Sequence, residues 1–324
     1  MAVELTTRVL KADREAIAEG ARVLADGGLV AFPTETVYGL GANAFDDKAV
    51  ARLYAAKGRP RFNPLIVHVP DTLALREFAV LDDDNAALLA VVFWPGPLTL
   101  VLPQVQYCQI SELALAGHGT VAVRVPDNPV ALDLMKAFDR PIVAPSANRS
   151  GHVSPTTAEH VLADLRGRID LIIDGGATSV GLESTIVSFV GKPTLLRAGG
   201  TPREDIENVL RFPLATAEPS PGEAPLAPGM LASHYAPRTP LRLNACDVGP
   251  GEALLAFGAD APHAPHALNL SPSGDLIEAT ANLFSYLRKL DACGARAIAV
   301  APIPNEGLGE AINDRLARAA APRT

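Results

Sequence analysis

From about residue 13 to residue 211 the chain alternates helical and strand patterns, and that alternation limits the fold more than any other feature. Ile17, Ala21 and Leu24 stripe a helix ending at Gly27-Gly28, and Leu29-Val30-Ala31-Phe32 follows as a buried strand. Val50, Leu53, Tyr54 and Lys57 mark another helix, which Gly58 is placed to end and Pro60 cannot continue. Further strands are read at 65–69, 98–102, 121–125, 142–144, 171–173 and 184–188, with helices near 83–93, 129–138 and 157–166. One more helix is expected from Thr201, with Pro202 at its first position and Glu204 closing a capping box. Apolar strand runs set between helices predict an α/β domain around a largely buried, mixed sheet.

Residues 212–240 change character. Seven prolines (Pro213, Pro219, Pro221, Pro225, Pro228, Pro237 and Pro240) predict a stiff, extended connector. Beyond it, strands at 253–257 and 297–300 and helices around 276–291 and 307–320 predict a smaller Rossmann-like α/β unit, with the Ala/Pro-rich 259–268 as loop. The expected organisation is a first domain over 1–211, the connector over 212–240 and a second domain over 241–324. A chain of 324 residues with 48% hydrophobic residues can bury two such cores.

The formal net charge of −8 argues against a general nucleic-acid coat, though it allows a local cationic pocket. Cys108, Cys246 and Cys293 are odd in number and widely spaced, which suits a reducing compartment and neither a disulfide framework nor a zinc site. The N-terminus lacks the basic and apolar regions of a signal peptide, and no apolar run approaches the roughly 18 residues of a membrane span. A cytoplasmic protein away from membranes is expected.

Several segments could carry chemistry. Lys57-Gly58-Arg59-Pro60-Arg61-Phe62-Asn63-Pro64 places three cations within five positions on a turn stiffened by proline. Like charges crowded in this way suit a bound anion such as phosphate, and a solvated basic turn is the plainer alternative. Pro33-Thr34-Glu35-Thr36-Val37-Tyr38-Gly39-Leu40 leaves a strand end, where open α/β sheets bind ligands, and reads equally as a capped turn. Pro145-Ser146-Ala147-Asn148 also follows a strand and offers hydroxyl, amide and backbone donors. Arg124 lies within an apolar strand, so it has either an internal salt bridge or a carboxylate ligand. His68 sits between Val67 and Val69 as a core or a ligand-facing histidine. Glu183-Ser184-Thr185 stands at a polar-to-apolar junction, and Arg197-Ala198-Gly199-Gly200 closes a strand. Tyr235, in the proline segment, is expected to dock onto something. No P-loop, GxSxG or HExxH pattern occurs, Gly39-Leu40-Gly41 is too short for a dinucleotide fingerprint, and His263 and His266 lack further metal ligands nearby.

Taken in order, PTETVYGL at 33–40, KGRPRFNPL at 57–65, PGPLT at 95–99, RVP at 124–126, APSAN at 144–148 and ESTIV at 183–187 resemble the YrdC-like domain. Pro-Gly-Met at 228–230 and His-Tyr-Ala-Pro at 234–237 extend the resemblance to the two-domain threonylcarbamoyl-adenylate synthases. The resemblance implies a twisted, mixed open sheet with flanking helices and a Rossmann-like C-terminal domain. It implies a nucleotidyltransferase that converts L-threonine, bicarbonate and ATP to threonylcarbamoyl-AMP and pyrophosphate, with Mg²⁺ on the triphosphate. Downstream transfer proteins then modify tRNA, and weak tRNA contact is compatible with this. By the same analogy Thr36, His68, Arg124, Ala144 and Ser184 hold threonine, whereas Arg59, Asn63, Thr120, Ser146, Ser154, Arg197 and Tyr235 bind ATP. Lys57 and Arg59 would stabilise the charge of the transition state, and the proline-rich segment would cover the site. Phe62 departs from the small polar residue expected there, and either stacks on adenine or packs beneath the turn. Two rival readings are a carbamoyl-adenylate-forming relative, usually a much larger chain, and a non-catalytic RNA-binding module, which would spread its cations over a face.

Overall fold

The computed structural model describes residues 5–60, 62–217, 234–262 and 264–322. Arg61, Pro-Gly-Met at 228–230, most of the proline segment and His263 lie outside them. Eleven described strands form one mixed sheet. They are β1 (Arg8–Lys11), β2 (Val30–Pro33), β3 (Tyr38–Asn43), β4 (Ile66–His68), β5 (Leu98–Pro103), β6 (Thr120–Arg124), β7 (Ile142–Val143), β8 (Leu171–Asp174), β9 (Thr185–Ser188), β10 (Thr194–Arg197) and β11 (Ala215–Thr216). Across the sheet they run β1-β8-β2-β3-β7-β4-β6-β5-β9-β10-β11. A second sheet, ordered β12-β15-β13-β14 and parallel throughout, comprises β12 (Leu241–Arg242), β13 (Glu252–Ala256), β14 (Ala267–Asn269) and β15 (Ala297–Val300). The helices are α1 (Arg14–Ala25), α2 (Asp47–Lys57), α3 (Asp84–Phe93), α4 (Glu112–Leu115), α5 (Pro129–Phe138), α6 (Ala158–Leu165), α7 (Arg203–Leu210), α8 (Leu276–Asp291) and α9 (Leu308–Ala320).

The interior strands of the large sheet are buried on both faces because they are apolar at both parities. Val30 and Phe32 of β2 pack with α1 and α5 through Val23, Leu24, Leu134 and Met135. Leu29 and Ala31 face the other way, toward Ala49, Val50 and Leu53 of α2. The helix ends follow local chemistry. Asp13, Asp46 and Asn128 accept backbone N–H groups at the starts of α1, α2 and α5, and Gly58 ends α2 in the left-handed conformation its position predicts.

Five elements depart from the expectation. The polar segment after β2 is a hairpin, not an open loop, because residues 38–43 form the fully buried strand β3. Two glycines hid it. A Cβ on Gly41 would lie 2.9 Å from the Phe32 ring, so this strand needs the close approach that glycine gives and lacks the branched residues that advertise strands. The capping box at Thr201 does not form. Thr201 is fixed outside the helix by bonds of its backbone to the Thr185 hydroxyl, Pro202 takes the cap position without a side-chain bond, and Glu204 accepts from the Gly307 amide. The end of the Ala/Pro-rich loop pairs as β14, parallel to β13. Short β1 was not anticipated and pairs with β8 at one edge. At the other edge Ala215–Thr216, within the proline-rich span, pairs with β10.

Candidate active site

The site lies where the carboxyl ends of β4 and β6 meet the loops after β2, β7 and β10. Parallel pairing sets His68 beside Arg124 in register. Thr34 shapes the hairpin loop: its hydroxyl donates to the Val37 carbonyl at 2.7 Å and accepts from the Thr36 and Val37 amides, which holds Thr36 toward Arg124. The 144–148 loop is pinned to β3 by Leu40 N–H to Pro145 O at 2.7 Å and Ala147 N–H to Tyr38 O at 2.8 Å.

These segments enclose a cleft of about 50 Å³ lined by Thr36, Val37, Arg59, Ile66, His68, Arg124, Ala144, Pro145, Ser146, Glu183, Ser184, Arg197, His234 and Tyr235. Every residue expected at a threonine site is therefore in one wall system, together with Arg59, Ser146, Arg197 and Tyr235 from the expected nucleotide set. Lys57, Asn63, Thr120 and Ser154 do not line it. Lys57 stands behind the 144–148 loop and donates from Nζ to the Ser146 and Asn148 carbonyls, both at 2.5 Å. Burial, with help from Arg59, pushes its ammonium well below the ordinary lysine range. Asn63 is buried, and its Oδ1 has no partner among the described residues. Ser154 is one step behind the wall, donating to Glu183 Oε1 at 2.5 Å. Thr120 begins β6, about 13 Å along the strand from Arg124 at the ordinary rise per residue. Phe62 is 50% exposed.

Arg124 has the internal salt bridge that its position allowed. It donates to Glu35 Oε1 at 2.6 Å, to Thr36 Oγ1 at 2.9 Å and to the Gly96 carbonyl at 3.2 Å. The second Glu35 oxygen is buried without a partner among the described residues. Burial and the adjacent Arg124 push His68 down to about 3, so its imidazole is neutral near pH 7. Nδ1 lies 3.1 Å from the Ile66 carbonyl, which can only accept, so the proton is on Nδ1 and Nε2 keeps its lone pair. Arg59 donates to the Asn63 and Pro64 carbonyls, and burial pushes it down to about 10. Arg197 grips Ser184 through both its carbonyl, at 2.8 Å, and its hydroxyl, at 3.1 Å.

Tyr235 docks as expected of an aromatic in a linker. It is 1% exposed, with its ring 5.8 Å from that of Phe284 on α8. Residues that the sequence reading did not assign include Glu35, Glu183, His234 and Arg315. Glu183 is a buried wall carboxylate: burial alone would raise it, but Arg315, Arg197 and the Ser154 hydroxyl bring it below its ordinary value. Arg315 could have been found, since it shares the stripe Ala311, Ile312, Leu316 and Ala319 on α9, where an unpaired cation has no place.

The Sua5/YciO/YrdC family model, whose description reads "Telomere recombination", matches residues 22–199, and the model of the threonylcarbamoyl-AMP synthase C-terminal domain matches residues 201–321. The threonylcarbamoyl-AMP synthase of Pyrococcus abyssi is 43% identical over 91% of this chain and 91% of its own length. The chain belongs to the threonylcarbamoyl-AMP synthase family. The Bacillus subtilis member is 41% identical over 95% of this chain and 93% of its own. The crystal structure of P. abyssi Sua5 complexed with L-threonine superposes with a TM-score of 0.88 at 38% identity, covering 98% of both chains. In this family member, among the described residues, no helix is long and apolar enough to cross a membrane and no cluster of three or more His, Cys, Asp or Glu converges to hold a metal ion.

Proposed function

We propose that the chain makes L-threonylcarbamoyl-adenylate from L-threonine, bicarbonate and ATP, releasing pyrophosphate, and that its product is passed to proteins that modify tRNA. One observation carries the reading: a neutral His68, the Arg124 guanidinium and the Ser184 hydroxyl converge in one cleft with Arg59, Arg197 and Tyr235. The first group suits a hydroxy amino acid. The second suits an adenine nucleotide.

The threonine amine and bicarbonate condense to an N-carboxylate with loss of water, and a carboxylate oxygen then attacks the α-phosphorus as pyrophosphate leaves. Both partners are anions, so the protein's task is positioning and charge compensation, not nucleophilic attack. Arg124 receives the threonine carboxylate through its planar fork, and the lone pair on His68 Nε2 accepts from the amine or hydroxyl. The Ser184 hydroxyl and the Ala144 backbone complete that side together with Thr36. Arg59, Ser146, Arg197 and Tyr235 hold ATP, partly through backbone groups, with Ser154 bracing Glu183 behind them. Arg59 acts on the developing charge, and Lys57 positions Ser146 by bracing the Ser146 and Asn148 carbonyls. Mg²⁺ enters with ATP on its phosphate oxygens, as part of the substrate.

His234 and Tyr235 line the cleft and cover the mixed anhydride, where they exclude water. The test is pyrophosphate release by purified protein supplied with MgATP and bicarbonate. Release that requires L-threonine and fails with L-serine supports the reading; release independent of any amino acid, or none, contradicts it.

A further inference from the structure

Arg315 is the largest side chain to be fully buried among the described residues, and most of its partners lie outside its own helix. From α9 its Nε donates to Glu183 Oε2 at 2.8 Å and a terminal nitrogen donates to the Ala198 carbonyl at 2.9 Å. The guanidinium carbon stands 5.0 Å from the centre of the Tyr235 ring, and the remaining nitrogen is held by Asp314 at 2.5 Å. One cation from the C-terminal unit thus touches three segments of the cleft: the residue before Ser184, the residue after Arg197, and the tyrosine of the connector.

These contacts are relayed. Glu183 uses its other oxygen to hold Ser154, and Arg197 grips Ser184, so the wall on this side is set by Arg315 at both ends. The connector is fixed to the same helix, because the His234 amide donates to the Arg318 carbonyl at 3.3 Å. An apolar cluster joins Val37, Val153, Leu182 and Tyr235 to Leu283, Phe284, Ile312 and Leu316, so the two units share one core here. If holding the units together were all that was required, an apolar side chain would serve at least as well, since a buried ion pair is seldom more stable than its apolar replacement. A charge at this point instead fixes the orientation of a carboxylate.

We propose that Arg315 is a positioning residue for the nucleotide side of the cleft, acting through Glu183 and Ala198 on Ser154, Ser184 and Arg197 and directly on Tyr235. The C-terminal unit is then a built part of the ATP site and not an appended module. The assignment rests on the adenylate-forming reading of this cleft.

The test uses the full chain with Arg315→Met, Arg315→Lys and the double variant Arg315→Met/Glu183→Gln, which removes both charges and so avoids leaving a buried carboxylate alone. The KM for ATP is expected to rise at least tenfold in Arg315→Met and in the double variant, and by more than the KM for threonine, which keeps Thr36, His68 and Arg124 and loses only the placement of Ser184. Arg315→Lys recovers part of the ATP affinity, since an ammonium can reach Glu183 or Ala198 but lacks the fork to hold both. Folded variants with both KM values within threefold of wild type overturn the assignment, as does failure of all three variants to fold, which would mark Arg315 as structural alone. Wild-type protein that forms no threonine-dependent product overturns the functional reading and this assignment with it. An active wild type with unmoved variants overturns only the assignment.

Discussion

Replacing Arg124 with methionine separates two jobs that one side chain performs. Its side chain is 4% exposed and holds Glu35, Thr36 and the Gly96 carbonyl, while one Glu35 oxygen is already buried without a partner among the described residues. Removing the cation leaves that carboxylate buried without compensation, a loss of about 3–5 kcal/mol for a broken buried pair. At roughly 2–4 °C per kcal/mol for a domain of this size, Tm falls by about 6–20 °C. Threonine loses a charge-assisted partner worth about 1.5–3 kcal/mol, so its KM rises roughly ten- to hundredfold. Arg124→Met/Glu35→Gln is expected to regain at least half of the lost stability, because no buried charge remains, yet none of the threonine affinity. Calorimetric melting and pyrophosphate-release kinetics on the three proteins measure both quantities. An unchanged Tm in Arg124→Met refutes the energetic account of the pair, and threonine affinity restored in the double variant refutes the role of Arg124 in recognition.

Three further outcomes are expected. His68 is depressed to about 3 in the fold, so between that value and its unfolded value of about 6.5 the unfolded chain binds more protons, and stability falls as pH falls through this window; His68→Gln should flatten urea-measured stability between pH 6.5 and pH 5 by about 2 kcal/mol, and an unchanged slope contradicts the buried neutral imidazole. Gly199→Ala would place a Cβ 2.4 Å from the Glu183 carbonyl oxygen and 2.5 Å from the Thr185 nitrogen, backbone that cannot retreat, so it should cost about 3 kcal/mol, the upper end for overpacking, in chemical denaturation and weaken ATP binding; a neutral result would show that the wall is not rigid. Tyr235→Ala should shorten the half-life of the adenylate, followed by chromatography after rapid quenching, whereas a half-life equal to that of wild type removes the shielding role.

Much of this site was legible because its residues sit where the sheet pattern places them. His68 and Arg124 end two strands whose apolar runs were plain, and parallel pairing then sets them side by side. Gly58 ends α2 as its spacing requires, which fixes where Arg59 leaves the helix. What stayed hidden depends on contacts distant in sequence. The strand at residues 38–43 carries two glycines because Phe32 and Ala144 press on it, and neither neighbour is adjacent in the chain. Thr201 was a reasonable cap until Thr185 claimed its backbone. Glu183 and Arg315 lie 132 positions apart and explain each other only when α9 is seated on the first unit. Lys57 offered a cation for the cleft, but its ammonium braces the carbonyls of the loop beside it.

The measurement that bears most directly on the central claim is mass spectrometry of the product formed from ¹³C-bicarbonate, L-threonine and MgATP. The account predicts an adenylate carrying threonine and one labelled carbon, in equal amount to the pyrophosphate released. An adenylate without the label, a labelled adenylate formed without threonine, or pyrophosphate with no adenylate at all would contradict it.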